Sequence, residues 1–203
     1  MKGIAGMTSE TTPQRALICE DEGVTVMQIR KALIRAGYNV VGEAVEGRTA
    51  IQLAQDLKPD LILMDINMPG PIDGIAATRE ILQNQPVPII MLTAYSDDNY
   101  VDSALDAGAC AYLVKPITSE QLLPAIKLAI ARFHTLQTAI EEATDLKEAL
   151  ETRKMVERAK GILMERQQLS ESDAFRKIQK ISRDKCQTMK QTALDIIKAN
   201  EIL

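Results

Sequence analysis

Between Arg15 and Pro116, five short apolar runs alternate with longer amphipathic stretches, and this alternation constrains the fold more than any other feature of the chain. The runs are 16–19 (ALIC), 39–42 (NVVG), 61–64 (LILM), 89–92 (IIML) and 111–114 (AYLV). Four of the five are apolar throughout rather than at every second position, which is what a parallel sheet covered on both faces requires. Helical periodicity is expected near 23–36, 46–56, 73–83 and 98–107, with stops such as Gly37, Pro59 and Gly108. A β-α unit repeated five times predicts a doubly wound α/β domain over 15–132. Residues 1–14, rich in Thr, Ser and Gly, carry no apolar face and read as a flexible tail.

After Pro116 the pattern turns wholly helical. A Thr118-x-x-Gln121 capping box opens it, and no strong breaker follows before Gln168, so one long helix is expected to run through the domain boundary. Pro124 lacks a backbone donor, which delays regular helix to near Gln121 or kinks it. Phe133, Leu136, Ile140, Ala143, Leu146 and Leu150 form an imperfect coiled-coil seam over 133–150, or else a face that packs on the chain's own domains. Two more helices are expected from Ser170-x-x-Asp173 and Thr188-x-x-Gln191, completing an all-α three-helix domain over 145–203.

Several classes of protein are disfavoured. No run approaches the ~20 apolar residues that span a bilayer, and the N-terminus lacks the long apolar run of a signal peptide, so a cytoplasmic protein without a membrane partner is expected. Three scattered cysteines (Cys19, Cys110, Cys186) and one histidine, His134, argue against disulfide frameworks, zinc sites and His-based triads. Charge is unevenly divided. Residues 1–145 hold 11 basic and 19 acidic side chains (net −8), and 146–203 hold 13 and 9 (net +4). An acidic body joined to a basic tail suggests two jobs, the second on a polyanion.

In doubly wound sheets, ligands sit beyond the carboxyl ends of the strands where strand order reverses. Those ends carry Glu20-Asp21 on strand one, Asp65 on strand three, Thr93 on strand four and Lys115-Pro116 on strand five. A flavodoxin-like order of 2-1-3-4-5 would gather Glu20, Asp21 and Asp65 into one cluster of mutually repelling carboxylates. Mg²⁺ relieves such repulsion and recruits phosphate. The expected chemistry is an aspartyl phosphate on Asp65, with Lys115 as point charge and Thr93 as hydroxyl donor.

The segments LICEDE, LILMDINMPGPIDG, IIMLTAY and GACAYLVKP resemble the receiver domain of two-component response regulators over roughly 15–132. The resemblance implies that Asp65 accepts phosphate from a sensor histidine kinase. It also implies that Glu20, Asp21 and Asp65 bind Mg²⁺ with the backbone carbonyl of Asn67, that Lys115 contacts the phosphoryl group, and that Thr93 and Tyr112 are the switch pair. Gly70-Pro71 makes the stretch from Asp65 to Gly74 one residue longer than in the commonest receivers.

The tail is basic in stripes. On a helical wheel Ala174, Phe175, Ile178 and Ile181 share one face, and Arg176, Lys180 and Arg183 the other. From Arg176 to Lys190 there are six basic residues and one acidic, Asp184. On the preceding helix Val156, Ala159 and Leu163 face inward, while Arg153 and Lys160 share an outer stripe beside Gly161. Glycine costs ~1 kcal/mol against alanine inside a helix, so Gly161 marks either a close approach or a harmless weak point. Basic stripes neutralise phosphates, and charge alone does not separate RNA from DNA. With Phe175 on the core face, a stacking platform is not expected, and recognition of a folded hairpin by charge and shape fits better.

ETRKMVERAKGILMER and LSESDAFRKIQKISRD resemble the ANTAR domain, a three-helix RNA-binding antitermination module. That resemblance implies binding of leader-transcript hairpins, as a dimer, to stop a terminator from forming. The expectation is therefore a regulator and not an enzyme. Phosphorylation at Asp65 drives dimerisation through 133–150, and Arg153, Lys160, Arg176, Lys180 and Arg183 contact RNA. The alternatives are a DNA-binding activator, with a C-terminal helix in the major groove, and an aspartate-nucleophile phosphatase of the haloacid dehalogenase type. In the latter, Asn67 stands where an acid/base carboxylate is needed. A coiled-coil adaptor with a merely solubilising tail is the remaining reading.

Overall fold

The computed structural model describes residues 14–94 and 103–201. Its strands are β1 (Arg15–Cys19), β2 (Asn39–Ala44), β3 (Leu61–Asp65), β4 (Ile89–Thr93) and β5 (Ala111–Val114). Between them lie α1 (Gly23–Arg35), α2 (Gly47–Leu57) and α3 (Gly74–Asn84); α4 (Ser119–Gln167), α5 (Glu171–Asp184) and α6 (Met189–Glu201) follow. Of the helix expected near 98–107, residues 103–106 are helical and 98–102 lie outside the described residues, as do tail positions 1–13.

The sheet is parallel throughout, in the order β2-β1-β3-β4-β5. Successive strand side chains point to opposite faces, so an unbroken apolar run feeds two cores at once. Leu17, Cys19, Ile62, Met64, Ile89 and Met91 pack with Ala50, Ile51, Ala54, Ala77 and Ile81 of α2 and α3. Ala16, Ile18, Leu61, Leu63, Ile90 and Leu92 pack with Ile29, Ala32 and Leu33 of α1 and with Leu122, Ile126 and Ala129 at the start of α4. The edge strand β2, the run that is not wholly apolar, is half-exposed.

α4 begins at Ser119 and continues past Pro124, so the proline does not delay the helix. Early in a helix, the proline's missing donor leaves only one carbonyl to be satisfied elsewhere. Gln121 Oε1 accepts from the Thr118 amide at 3.3 Å, which is one half of the expected capping box. The helix ends where expected, with Gln168 in the left-handed region at φ 52°. The chain divides into two compact units at residue 136/137, within this helix.

The C-terminal unit is built from the rest of α4 with α5 and α6. Its core is Val156, Ala159, Leu163, Ala174, Ile178, Ala193 and Ile197. Ser170 caps α5 by accepting from the Asp173 amide at 3.2 Å, and Thr188 Oγ1 accepts from the Gln191 amide at 3.1 Å. Phe175 departs from its expected place on the core stripe and is 39% exposed. A Cβ built on Gly161 would meet no atom within 4 Å among the described residues, so no neighbouring helix accounts for that glycine.

Candidate functional site

The ends of β1, β3 and β4 bring the expected acidic pocket together. Glu20 (1% exposed) and Asp65 (3%) are buried, whereas Asp21 is exposed. One carboxylate oxygen from each of the three lies within 4.8 Å of the others. Lys115 closes the cluster, with Nζ donating to Asp65 Oδ2 at 2.8 Å and to Glu20 Oε1 at 2.8 Å. The same ammonium is 2.7 Å from Glu20 Oε2 without hydrogen-bond alignment, so that buried oxygen accepts no hydrogen bond among the described residues. The peptide between Lys115 and Pro116 is cis, and the Lys115 amide donates to the Thr93 carbonyl at 2.8 Å.

Burial, reinforced by the Asp65 charge, raises the Glu20 pKa above its ordinary value despite the nearby ammonium. Burial also opposes the charge on Lys115, but the hydrogen bonds it donates to Asp65 and Glu20, and their attraction, outweigh it and raise the lysine's pKa. Among the described residues the site therefore sets two buried carboxylates against the Lys115 ammonium, and Glu20 Oε2 accepts no hydrogen bond there. A hard divalent cation with oxygen ligands suits that donor set.

Thr93 is buried (1% exposed) at the end of β4, opposite Val114. Tyr112 sits on the edge strand opposite Met91, 43% exposed and outside the carboxylate cluster. The Asn67 amide donates to Asp65 Oδ1 at 3.2 Å. The sequence reading missed Gly74 as a determinant of the site. A Cβ there would lie 1.8 Å from the Asp65 carbonyl oxygen, and the Gly74 amide donates to Ile66 O at 3.0 Å. The Asp-Gly pair in PIDG carried the signal, since Asp73 caps α3 by accepting from the Ala76 amide at 2.7 Å. The one-residue-longer loop is seated tightly, because a Cβ on Gly47 would fall 2.2 Å from Ile72 O.

Gly74→Ala is expected to push α3 away from the end of β3. The predicted outcome is a folded protein whose rate of modification by acetyl phosphate falls at least tenfold, read by intact-mass spectrometry. An unchanged rate would show that the close approach is irrelevant to Asp65.

In the C-terminal unit, Arg153, Arg176, Lys180 and Arg183 are exposed as expected. Lys160 is not: it is 7% exposed and pairs with Glu157 Oε2 at 2.9 Å and Glu171 Oε1 at 2.7 Å. The seven-residue spacing from Arg153 put it on an outer stripe, but α5 covers that position and supplies one of its counter-ions. The hydrogen bonds that its ammonium donates to Glu171 and Glu157 raise the Lys160 pKa. Lys190, at the start of α6, is likewise paired, with Glu151 at 3.0 Å.

A 2-1-3-4-5 parallel sheet with an aspartate, two further carboxylates and a lysine at its carboxyl edge is the architecture of a phospho-receiver. Residues 16–127 match the response regulator receiver domain family and residues 144–197 match the ANTAR domain family. The chain belongs to the response regulators that join a receiver to an ANTAR output domain, and neither family is an enzyme family. It is 46% identical over 193 residues to the transcriptional regulatory protein PdtaR of Mycobacterium tuberculosis, covering 92% of this chain and 94% of that one. Among solved structures it resembles the receiver domain of the sensor histidine kinase PA1611 of Pseudomonas aeruginosa, which has magnesium coordinated in its active-site cleft. That match has a TM-score of 0.53 and 34% identity, covering 59% of this chain and 98% of that one. The receiver domain of a modulated diguanylate cyclase from Desulfovibrio desulfuricans matches with a TM-score of 0.56 and 30% identity, covering 61% and 98%. No helix among the described residues is long and apolar enough to cross a membrane.

Proposed function

We propose that a sensor histidine kinase phosphorylates Asp65 and thereby controls binding of RNA hairpins by the C-terminal helices, so that a transcription terminator does not form. The observation that carries this reading is the Asp65 carboxylate, held by Lys115 at 2.8 Å beside Glu20 and Asp21. Mg²⁺, when held by Glu20, Asp21, Asp65 and the Asn67 carbonyl, supplies the positive charge that offsets the phosphoryl oxygens. An Asp65 oxygen attacks phosphorus as the P–N bond of the kinase phosphohistidine breaks, leaving an aspartyl phosphate. Lys115 moves from bridging two carboxylates to contacting the phosphoryl group, and the Thr93 hydroxyl donates to it. Tyr112, exposed on the edge strand, follows Thr93 and alters the receiver surface.

Dimerisation through 133–150 is the coupling we infer. Leu136, Ile140, Leu146 and Leu150 are each at least half exposed, so the seam is not used up by packing within either unit. Two ANTAR domains on one dimer grip paired hairpins with gained effective concentration. Arg153, Arg176, Lys180 and Arg183 meet RNA phosphates; Lys160, already neutralised by two carboxylates, holds α5 on α4 instead.

The test is binding of the full chain to a structured-hairpin RNA pool and to duplex DNA, with and without acetyl phosphate and Mg²⁺, beside Asp65→Asn. Light scattering follows mass in the same samples. Hairpin-selective binding that rises with phosphorylation, and does not rise in Asp65→Asn, is expected. Arg176→Ala should flatten the slope of log affinity against log salt by about 0.7–0.9, one phosphate contact, whereas Lys160→Met should leave that slope unchanged. Equal affinity for duplex DNA and hairpin RNA would move the reading to a DNA-binding regulator, and constant mass would remove the dimer step.

A further inference from the structure

The loop from Asn67 to Asp73 carries one of the expected cation ligands, the Asn67 carbonyl, and Gly70-Pro71 lengthens it. Its base is closed by the Gly74 amide, which donates to Ile66 O at 3.0 Å, and Asp73 is tied into the cap of α3 by the Ala76 amide at 2.7 Å. Met68 and Ile72 pack into the apolar core beneath it. Pro69 and Pro71 each fix a backbone φ, so the loop bends chiefly at Gly70, whose φ of 96° suits a residue without a Cβ.

The turn between β2 and α2 braces this loop from outside, on both sides of Pro71. A Cβ on Gly47 would fall 2.2 Å from the Ile72 carbonyl oxygen and 3.0 Å from the carbonyl carbon, so the Gly47 backbone lies directly against the Ile72 peptide. Glu46 reaches the other side. Its Oε1 accepts from the Thr49 hydroxyl at 3.1 Å, and its Oε2 stands 3.6 Å from where a Cβ on Gly70 would lie. Neither residue belongs to the Glu20, Asp21 and Asp65 cluster.

We infer that Gly47 is a positioning residue for the cation site, acting through the lengthened loop to hold the Asn67 carbonyl where a divalent cation meets it. The inference rests on the phospho-receiver reading above and deepens it. A side chain at position 47 pushes the Ile72 peptide outward. The bonds at Ile66 and Asp73 hold the ends of the loop, so two stiff prolines pass the shift back toward Asn67 rather than absorbing it. Asp65 keeps its place, because β3 is paired with β1 on one side and β4 on the other. Outer supports of metal ligands are commonly worth about 10- to 100-fold in metal affinity or activity.

The test titrates the full-length protein with Mn²⁺, which shares the preference of Mg²⁺ for oxygen ligands, and follows the free ion by electron paramagnetic resonance. Gly47→Ala should bind Mn²⁺ about 10- to 100-fold more weakly than wild type. The Mg²⁺ concentration for half-maximal modification by acetyl phosphate should rise by the same factor, with most of the lost rate regained at saturating Mg²⁺. Gly70→Ala strains the loop on the other side of Pro71 and should weaken Mn²⁺ binding in the same direction. Gly37→Ala is the control: it imposes similar strain, at φ 84°, in the turn before β2, where a Cβ meets nothing within 4 Å. It should lower the melting temperature and keep the wild-type affinity for Mn²⁺. Wild-type affinity in Gly47→Ala, or in Gly70→Ala where Gly47→Ala does not fold, overturns the positioning role, as does an equal loss in Gly37→Ala. A wild type that binds no Mn²⁺ overturns the cation site of the phospho-receiver reading as well.

Discussion

Asp65→Asn, incubated with acetyl phosphate and Mg²⁺, is expected to show no phosphoryl adduct by intact-mass spectrometry under conditions that modify the wild type to a substantial fraction. The reason is chemical rather than structural. Asn has nearly the shape of Asp and can still accept from the Lys115 ammonium, but its amide is neither a phosphate nucleophile nor a charged cation ligand. A Glu20→Gln variant should be modified far more slowly yet detectably, because in the proposed function Glu20 is a cation ligand and Asp65 the nucleophile. The wild-type reaction should also fall on acidification. The Glu20 pKa is raised by burial and by Asp65, so the proton returns to this carboxylate at a higher pH than to an ordinary glutamate. The same shift has a sign for stability. Without a divalent cation, the folded state binds more protons than the unfolded one between the ordinary and the raised value, so stability declines as pH rises through that window. An adduct on Asp65→Asn would place the phosphoacceptor elsewhere.

Ile178→Ala is expected to unfold the C-terminal unit while leaving the receiver intact. Of the seven residues in that core, three are already alanine (Ala159, Ala174, Ala193), and Ile178 is fully buried between them and Val156, Leu163 and Ile197. Truncating a buried isoleucine costs about 2–5 kcal/mol, and a core in a unit this small supplies only about 3–5 kcal/mol. Urea denaturation followed by circular dichroism should lose the early, helix-dominated transition. Acetyl phosphate should still modify Asp65, since the sheet, Lys115 and Gly74 belong to the other unit. A midpoint within error of wild type would mean that this core does not hold the three helices together.

The positions of Glu20, Asp21, Asp65 and Lys115 were legible because these residues sit at strand ends. A strand end is a one-dimensional feature: the apolar run stops, and the next side chains, Glu20-Asp21, Asp65, Thr93 and Lys115, must fall on one edge of any parallel sheet. Order 2-1-3-4-5 then brings the first three together, as the 4.8 Å cluster has it. Helix caps were readable for the same reason, since Ser170 and Thr188 bond to amides three residues away. Gly74 was harder to see as part of the site. Its role depends on the Asp65 carbonyl lying 1.8 Å from where a Cβ would stand, a distance set by the path of an intervening loop.

In the C-terminal unit, periodicity told which helices would form and that Val156, Ala159, Leu163, Ala174 and Ile178 would be buried. It assigned Lys160 to solvent and Phe175 to the core, and both assignments reverse in the fold. A helical wheel ranks positions by angle about a single axis, and it is reliable at the centre of a stripe, where any neighbour must lie. At the flanks, burial depends on where a second helix crosses, and crossing positions follow from side-chain packing between elements remote in sequence. Here α5 crosses so that Glu171 reaches Lys160 across 11 residues of chain and the Phe175 ring is left at the rim. Local pattern was enough to specify the strands, the helices and the carboxylates at the sheet edge. The identity of the cation that is spent inside the fold, and of the aromatic that is left available outside it, came from helix–helix geometry, which no single-axis periodicity encodes.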